Sequence, residues 1–113
     1  MLSLNEIMEL KYVINYDNSF NREIRNIYEY ISENLNERKI AIKLMNRIDN
    51  KIKVLETFPF AYKLYKKEEN FEYRKLIVKN YIIIYKINLK EKEIFILHIY
   101  NQKLNYHKKS ILL

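Results

Sequence analysis

The chain has 113 residues, a length that suits one domain, and carries 21 Lys and Arg against 14 Asp and Glu for a net charge of +7. It contains no glycine, no cysteine and one proline, which excludes Gly-rich phosphate loops, EF-hand loops, nucleophile elbows, disulfides, thiolate nucleophiles and cysteine zinc sites. Its two histidines, His98 and His107, are too far apart for an H-E-x-x-H helix, so chemistry falls to Lys, Arg, Tyr, Asn, Glu or a lone His, with no metal or other cofactor expected.

The charge is unevenly placed. Residues 1–60 hold nine basic and nine acidic residues, whereas residues 61–113 hold twelve and five, so the whole excess lies in the second half. A neutral scaffold with a cationic working surface fits this asymmetry. General abundance of Lys, Ile, Asn and Tyr, as AT-rich coding favours, explains the lysine content but not its position. The first ten residues lack a basic leader and are interrupted by Asn5, Glu6 and Glu9, and no stretch approaches a membrane span, so a cytoplasmic protein without membrane contact is expected. No linker or repeat divides the chain, and one domain over residues 1–113 is expected.

Lys11–Tyr16 is rich in β-branched and aromatic residues and reads as a strand. Asp17, Asn18 and Ser19 supply cap-type side chains for a helix, whose apolar stripe is Phe20, Ile24, Ile27, Ile31 and Leu35. The polar run Asn34–Asn36 ends it. A second helix from about Glu37 to Thr57 carries the stripe Ala41, Leu44, Met45, Ile48, Ile52 and Leu55, and Phe58-Pro59 stops it. The pair makes an antiparallel hairpin. Lys63, Lys66 and Lys67 read as a solvated loop or a phosphate contact. From Phe71 the period changes, and Phe71–Val78, Tyr81–Leu89 and Ile94–Tyr100 read as three strands. Lys79-Asn80 is a tight turn in which Asn80 takes the place of the missing glycine. Tyr81 and Tyr85 read as core aromatics. The tail carries Leu104, Ile111 and Leu112. The order is β-α-α-β-β-β: an α+β domain with an antiparallel sheet, one face covered by the helix hairpin and the other solvated or binding something.

Within this order, three segments resemble words of the RelE/ParE superfamily of type II toxin–antitoxin toxins, the plasmid stabilisation proteins. The second helix ends Leu55-Glu56-Thr57-Phe58-Pro59, similar to "I-x-x-L-x-x-x-P". Arg74–Ile87 is similar to the hairpin "R-x-L-x-V-x-x-Y-x-I-x-Y-x-V", and Ile96–Tyr106 lies where many members read "I-L-R-V-x-H-x-R-x-D-Y". In that last word Asn101 replaces the usual His, Lys103 the Arg and Asn105 the Asp, and His98 sits where Arg is common. Members usually begin just before the first strand, here at Met8, which makes residues 1–7 an expected N-terminal extension.

The resemblance implies a toxin paired with a cognate antitoxin. RelE-like members cut mRNA on the ribosome without metal: the nucleotide's 2′-OH attacks the adjacent phosphate, and the protein orients it, moves two protons and stabilises the extra charge. The implied catalytic candidates are Arg74, His98, Lys103 and Tyr106, with Lys75, Lys79, Lys86, Lys108 and Lys109 as nucleic-acid contacts. Each also has a structural reading: Arg74 shares a strand row with Leu76 and Val78, and His98 alternates with Ile96 and Tyr100. Three functions are compatible with the resemblance. The first, and the leading expectation, is a metal-independent, ribosome-dependent mRNA endoribonuclease that inhibits translation. The second is a ParE-like inhibitor of DNA gyrase, which the missing His-x-Arg favours. The third is a degenerate member that only binds antitoxin.

Overall fold

The computed structural model describes residues 1–103. The expectations placed on Leu104, Tyr106, Lys108, Lys109, Ile111 and Leu112 lie outside the described residues. The elements are α1 (Leu4–Glu9), β1 (Val13–Tyr16), α2 (Asn18–Glu29), α3 (Arg38–Lys53), β2 (Lys63–Glu68), β3 (Phe71–Val78), β4 (Tyr81–Asn88) and β5 (Glu93–Asn101). The five strands form one mixed sheet in the order β1-β5-β4-β3-β2. The α+β class and the helix-covered sheet match the expectation. Three details differ: a short helix, α1, precedes the first strand, Lys63–Glu68 is an edge strand, not a loop, and β1 pairs with β5 in parallel while the other pairings are antiparallel. The lysine-rich stretch hid the strand because an edge strand exposes most of its side chains. After β1 the helices carry the chain to the far edge, and the β2–β5 meander returns it beside β1.

The local reasons are visible in the sequence. Asp17 caps α2: its carboxylate accepts the Ser19 N–H at 2.9 Å, and its carbonyl accepts the Asn21 N–H at 3.1 Å. The end of α2 widens into a π-helical turn, Tyr30–Asn34, closed by the Leu35 N–H on the Tyr30 carbonyl at 3.0 Å. The Ser32 hydroxyl donates back to the Tyr28 carbonyl at 2.7 Å, where it competes with the backbone ladder. The extra residue in this turn rotates the residues after it. Ile31 stays buried, but Leu35 is left 50% exposed and drops out of its expected stripe. Asn36, with φ of 53°, reverses the chain into α3. A short 3-10 turn, Val54–Glu56, ends the second helix ahead of Pro59.

Across the sheet, the helix-facing row joins Leu76 and Val78 of β3, Ile83, Tyr85 and Ile87 of β4, and Ile94, Ile96 and Ile99 of β5 with Phe20, Ile48, Ile52 and Leu55. Tyr85 is fully buried and Tyr81 packs against this cluster, so both are core aromatics as read. The other face carries a smaller apolar cluster of Ile82, Ile84 and Tyr100 with Tyr65 and Leu97 packed against it. A bulge on β5 leaves Leu97 unpaired between Ile96, opposite Tyr85, and His98, opposite Ile84. It breaks the expected Ile96–His98–Tyr100 row: Ile99 joins the main core and Tyr100 the opposite cluster.

The β3–β4 turn needs one left-handed residue and uses Lys79, φ 56°, where Asn80 was expected. The first of the two loop residues takes the unusual φ, while the Asn80 carbonyl accepts the Gln102 N–H at 2.8 Å. Lys92, φ 53°, serves the β4–β5 turn.

Asp17→Ala should lower stability by about 1 kcal/mol in urea unfolding at neutral pH. The hydrogen bonds from Ser19, the backbone N–H first, hold the Asp17 carboxyl below its usual range. The cap's contribution is therefore complete above the ordinary carboxylate range and lost as pH falls through the lowered value, so the two proteins should converge in acid.

Candidate functional site

Arg74, a catalytic candidate by resemblance, is held by four hydrogen bonds and a ring contact. Arg74 lies opposite Tyr85 in the β3–β4 register, on the row that faces the helices. Its Nη2 and Nε donate to Glu72 Oε1 at 2.6 and 3.1 Å. Its Nη1 donates to the Phe60 carbonyl at 3.1 Å and to the Tyr62 carbonyl. The guanidinium also lies 5.3 Å from the Phe60 ring centroid. The two charged side chains are only 13% and 11% exposed. Tyr85 adds a fifth hydrogen bond, its hydroxyl donating to the Pro59 carbonyl at 2.8 Å. Burial pushes the Tyr85 phenol well above its ordinary range, so it is a donor and not a base. Together these groups fasten the Pro59–Tyr62 connector onto the sheet. Arg74 thus takes the structural role that its row with Leu76 and Val78 allowed.

His98 is also engaged. Its Nδ1 lies 3.2 Å from both carboxylate oxygens of Glu23 on α2. Glu23 Oε1 further accepts the Ile99 N–H at 3.1 Å, next to the bulge at Leu97. One carboxylate therefore closes the bulge, and the imidazole is its neighbour. Arg74 on β3 and His98 on β5 are separated by β4, about 10 Å at the usual strand spacing, and each is turned to its own carboxylate. The structure does not bring them into one constellation. Lys103 stands in the turn after β5, its N–H on Asn101 Oδ1 at 2.8 Å, at the same end of the sheet as Lys79. Tyr106, Lys108 and Lys109 lie outside the described residues.

Of the lysines expected to meet nucleic acid, Lys75 and Lys86 sit beside aromatic rings, as does Lys66 of the lysine-rich stretch. Lys75 Nζ lies 4.9 Å from the Tyr65 ring, Lys66 Nζ 5.1 Å from Tyr73, and Lys86 Nζ 4.8 and 5.3 Å from Phe71 and Phe95. Burial raises the Tyr65 phenol to about 12 and raises Tyr100 as well, so neither supplies a base at neutral pH. Among the described residues, no cluster of His, Cys, Asp and Glu is placed to hold a metal ion. No helix there is long and apolar enough to cross a membrane.

The sequence reading missed Glu72, the one charged side chain in the buried set of described residues. Its signal was present: Glu72 and Arg74 are two apart on a strand and so share a face.

The geometry can be set beside known proteins. A family model described as the ParE toxin of type II toxin–antitoxin system, parDE, matches residues 14–106. No curated protein sequence matches the chain significantly. Among solved structures, the chain is similar to one in the archaeal RelE–RelB complex from Pyrococcus horikoshii, with a TM-score of 0.61 and 15% identity over 83% of this chain and 98% of that one. It is similar to one in the chromosomal ParDE system from P. aeruginosa, with a TM-score of 0.63 and 18% identity over 80% and 96%. A third likeness is to the RelBE2 toxin–antitoxin complex from Mycobacterium tuberculosis, with a TM-score of 0.53 and 13% identity over 80% and 98%. At these identities the structures establish the fold.

Breaking a buried ion pair from one side leaves an uncompensated charge. Arg74→Ala should therefore cost about 3–5 kcal/mol in urea unfolding. Arg74→Lys should recover little, because an ammonium cannot reproduce the planar fork that reaches a carboxylate and two carbonyls. A small loss in Arg74→Ala, below about 1 kcal/mol, would show that the clamp is not structural. The family match over 93 of 113 residues (14 through 106) closes the assignment: the chain belongs to the ParE toxin family of type II toxin–antitoxin systems.

Proposed function

We propose that this toxin arrests growth by binding and inhibiting DNA gyrase, in the manner implied by its ParE resemblance, and that a cognate antitoxin neutralises it. The observation that carries this reading is the state of Arg74. Its Nε, Nη1 and Nη2 all donate to Glu72 or to connector carbonyls, on the sheet face that packs against the helices. A guanidinium so engaged cannot also hold a scissile phosphate without giving up the buried carboxylate. The pairing of His98 with Glu23 and the presence of Asn101 where the family has His point the same way. A toxin that acts by occupying a target's surface needs shape and charge rather than a proton-transfer pair. The antitoxin partner is supported by the structural neighbours, which are toxin–antitoxin complexes.

A specific observation favours the endoribonuclease as a second reading. Lysines stacked beside Tyr65, Tyr73, Phe71 and Phe95 form the mix of cation and ring that single-stranded RNA uses. Catalysis would then fall to Lys103 and Tyr106 with Lys75, Lys79, Lys86, Lys108 and Lys109 around them.

Induced expression should arrest growth, and purified toxin should inhibit supercoiling by gyrase in a concentration-dependent way. Primer extension on mRNA from arrested cells should show no codon-phased cuts. Cuts that appear on induction, with supercoiling unaffected, would establish the second reading instead.

A further inference from the structure

The electrical neutrality of residues 1–60 conceals a segregation. Helix α3 contains Arg38, Lys39, Lys43, Arg47, Lys51 and Lys53 against Asp49 alone, a local charge of +5 within a half that sums to zero. The cations are also ordered. Lys39, Lys43, Arg47 and Lys51 succeed one another at i, i+4, i+8 and i+12. They form a single ridge about 18 Å long at the ordinary helical rise. The ridge lies on the side of α3 away from its buried residues Ala41, Ile48 and Ile52, and all four side chains are exposed. Beside it run Asn46 and Asn50, and Lys43, Asn46, Arg47, Asn50, Lys51, Val54 and Tyr62 line a shallow groove of about 520 Å³.

A solvated helix face ordinarily interleaves signs, because i, i+4 neighbours of like charge repel. Here three successive i, i+4 pairs are like-charged, and Asp49 is drawn off to Lys53 at 3.0 Å. The first turn of α3 holds Arg38 and Lys39 and no acid, against the helix dipole. None of Lys39, Lys43, Arg47 or Lys51 makes an ion pair among the described residues. The like-charged neighbours and the first-turn cations oppose helix stability, whereas Lys51 and Lys53 in the last turn suit the dipole, so local folding accounts for Lys51 but not for Lys39, Lys43 and Arg47.

We infer that the outer face of α3 is a docking surface for the phosphodiester backbone of a nucleic-acid duplex. The groove offers ammonium and guanidinium donors, two amides and a phenol, and no carboxylate. These are the side-chain types that contact phosphate oxygens, and a phosphodiester backbone presents acceptors without donors of its own. A peptide strand would bring N–H groups that find few acceptors here. Even spacing along an inclined ridge matches a backbone that itself winds, and phosphate contact positions a protein without reading sequence. The surface is distinct from the aromatic-flanked lysines of the sheet, and it does not depend on gyrase being the target. DNA and RNA duplexes share this chemistry.

The test is fluorescence anisotropy of the whole chain with a labelled DNA duplex and, separately, an RNA duplex of the same sequence, over a salt series. The variant Lys43→Gln/Arg47→Gln/Lys51→Gln removes the ridge. Lys11→Gln/Arg25→Gln/Lys90→Gln removes the same charge from three other places on the chain. The ridge variant should lose about tenfold or more in affinity and reduce the slope of log K against log salt by about one per substitution. The control should change both far less. The ridge variant should also melt no lower than the parent, since it relieves repulsion, which separates lost binding from lost folding. The preferred duplex identifies which nucleic acid the face serves. Equal losses in the two variants would overturn the inference, because net charge would then suffice. So would absence of duplex binding by the parent, or binding of a poly-glutamate peptide at α3 in place of either duplex.

Discussion

The connector between the second long helix and the edge of the sheet has to cross a sheet end without glycine, with the Pro59 carbonyl buried and the Tyr62 carbonyl partly so. One guanidinium makes that crossing feasible. Arg74 satisfies the Phe60 and Tyr62 carbonyls while Tyr85 satisfies that of Pro59. Unpaired backbone carbonyls in this position would cost about as much as a lost hydrogen bond each. Glu72 neutralises the cation that does this, at 11% exposure. Strand β2 begins at Lys63, directly after the fastened segment, so its register against Lys75 depends on where the connector is held. The buried pair costs desolvation energy, and it secures the geometry of the segment rather than a large net gain in stability.

That constraint bears on function. The strand position that carries arginine in the family hairpin is taken up by the fold, and the imidazole on β5 is taken up by Glu23 on α2. Among the described residues, the surface cations include two arrays: lysines packed beside aromatic rings on the sheet, and a ridge along α3 that makes no ion pair. Both suit adhesion to an anionic or composite surface. A protein that adheres and blocks needs such arrays more than it needs a tuned acid and base, which is the physical content of reading this toxin as a binder.

Much of the architecture was legible. The helix hairpin showed in its 3.6-residue period, the β3–β4 hairpin in its aliphatic run, and the Asp17 cap in its residue type. Four features were not, each for a physical reason. Strand β2 exposes lysines on most positions because it is an edge, so its pattern mimics a loop. The π turn at Tyr30–Asn34 and the bulge at Leu97 each add one residue, and a periodicity count that runs through them assigns Leu35 and Tyr100 to the wrong rows. The role of Arg74 depended on Phe60 and Tyr62, which are 14 and 12 positions away, and on carbonyls that side-chain chemistry does not reveal. The summed charge of each half misled in a similar way, since a +5 helix vanished into a zero.

If this toxin acts by binding, Arg74 builds the fold and does not touch the target. Replacing a buried ion pair by apolar residues of similar volume is commonly neutral or stabilising, which allows the two roles to be separated. The decisive measurement is growth arrest on induction of the double variant Glu72→Leu/Arg74→Met, after urea unfolding has shown it to be folded. The expected result is a protein that folds with reduced stability, because the Phe60 and Tyr62 carbonyls lose their donor, yet still arrests growth, because the surface arrays are untouched. A double variant that folds yet no longer arrests growth would contradict the claim, and would return Arg74 to the active surface.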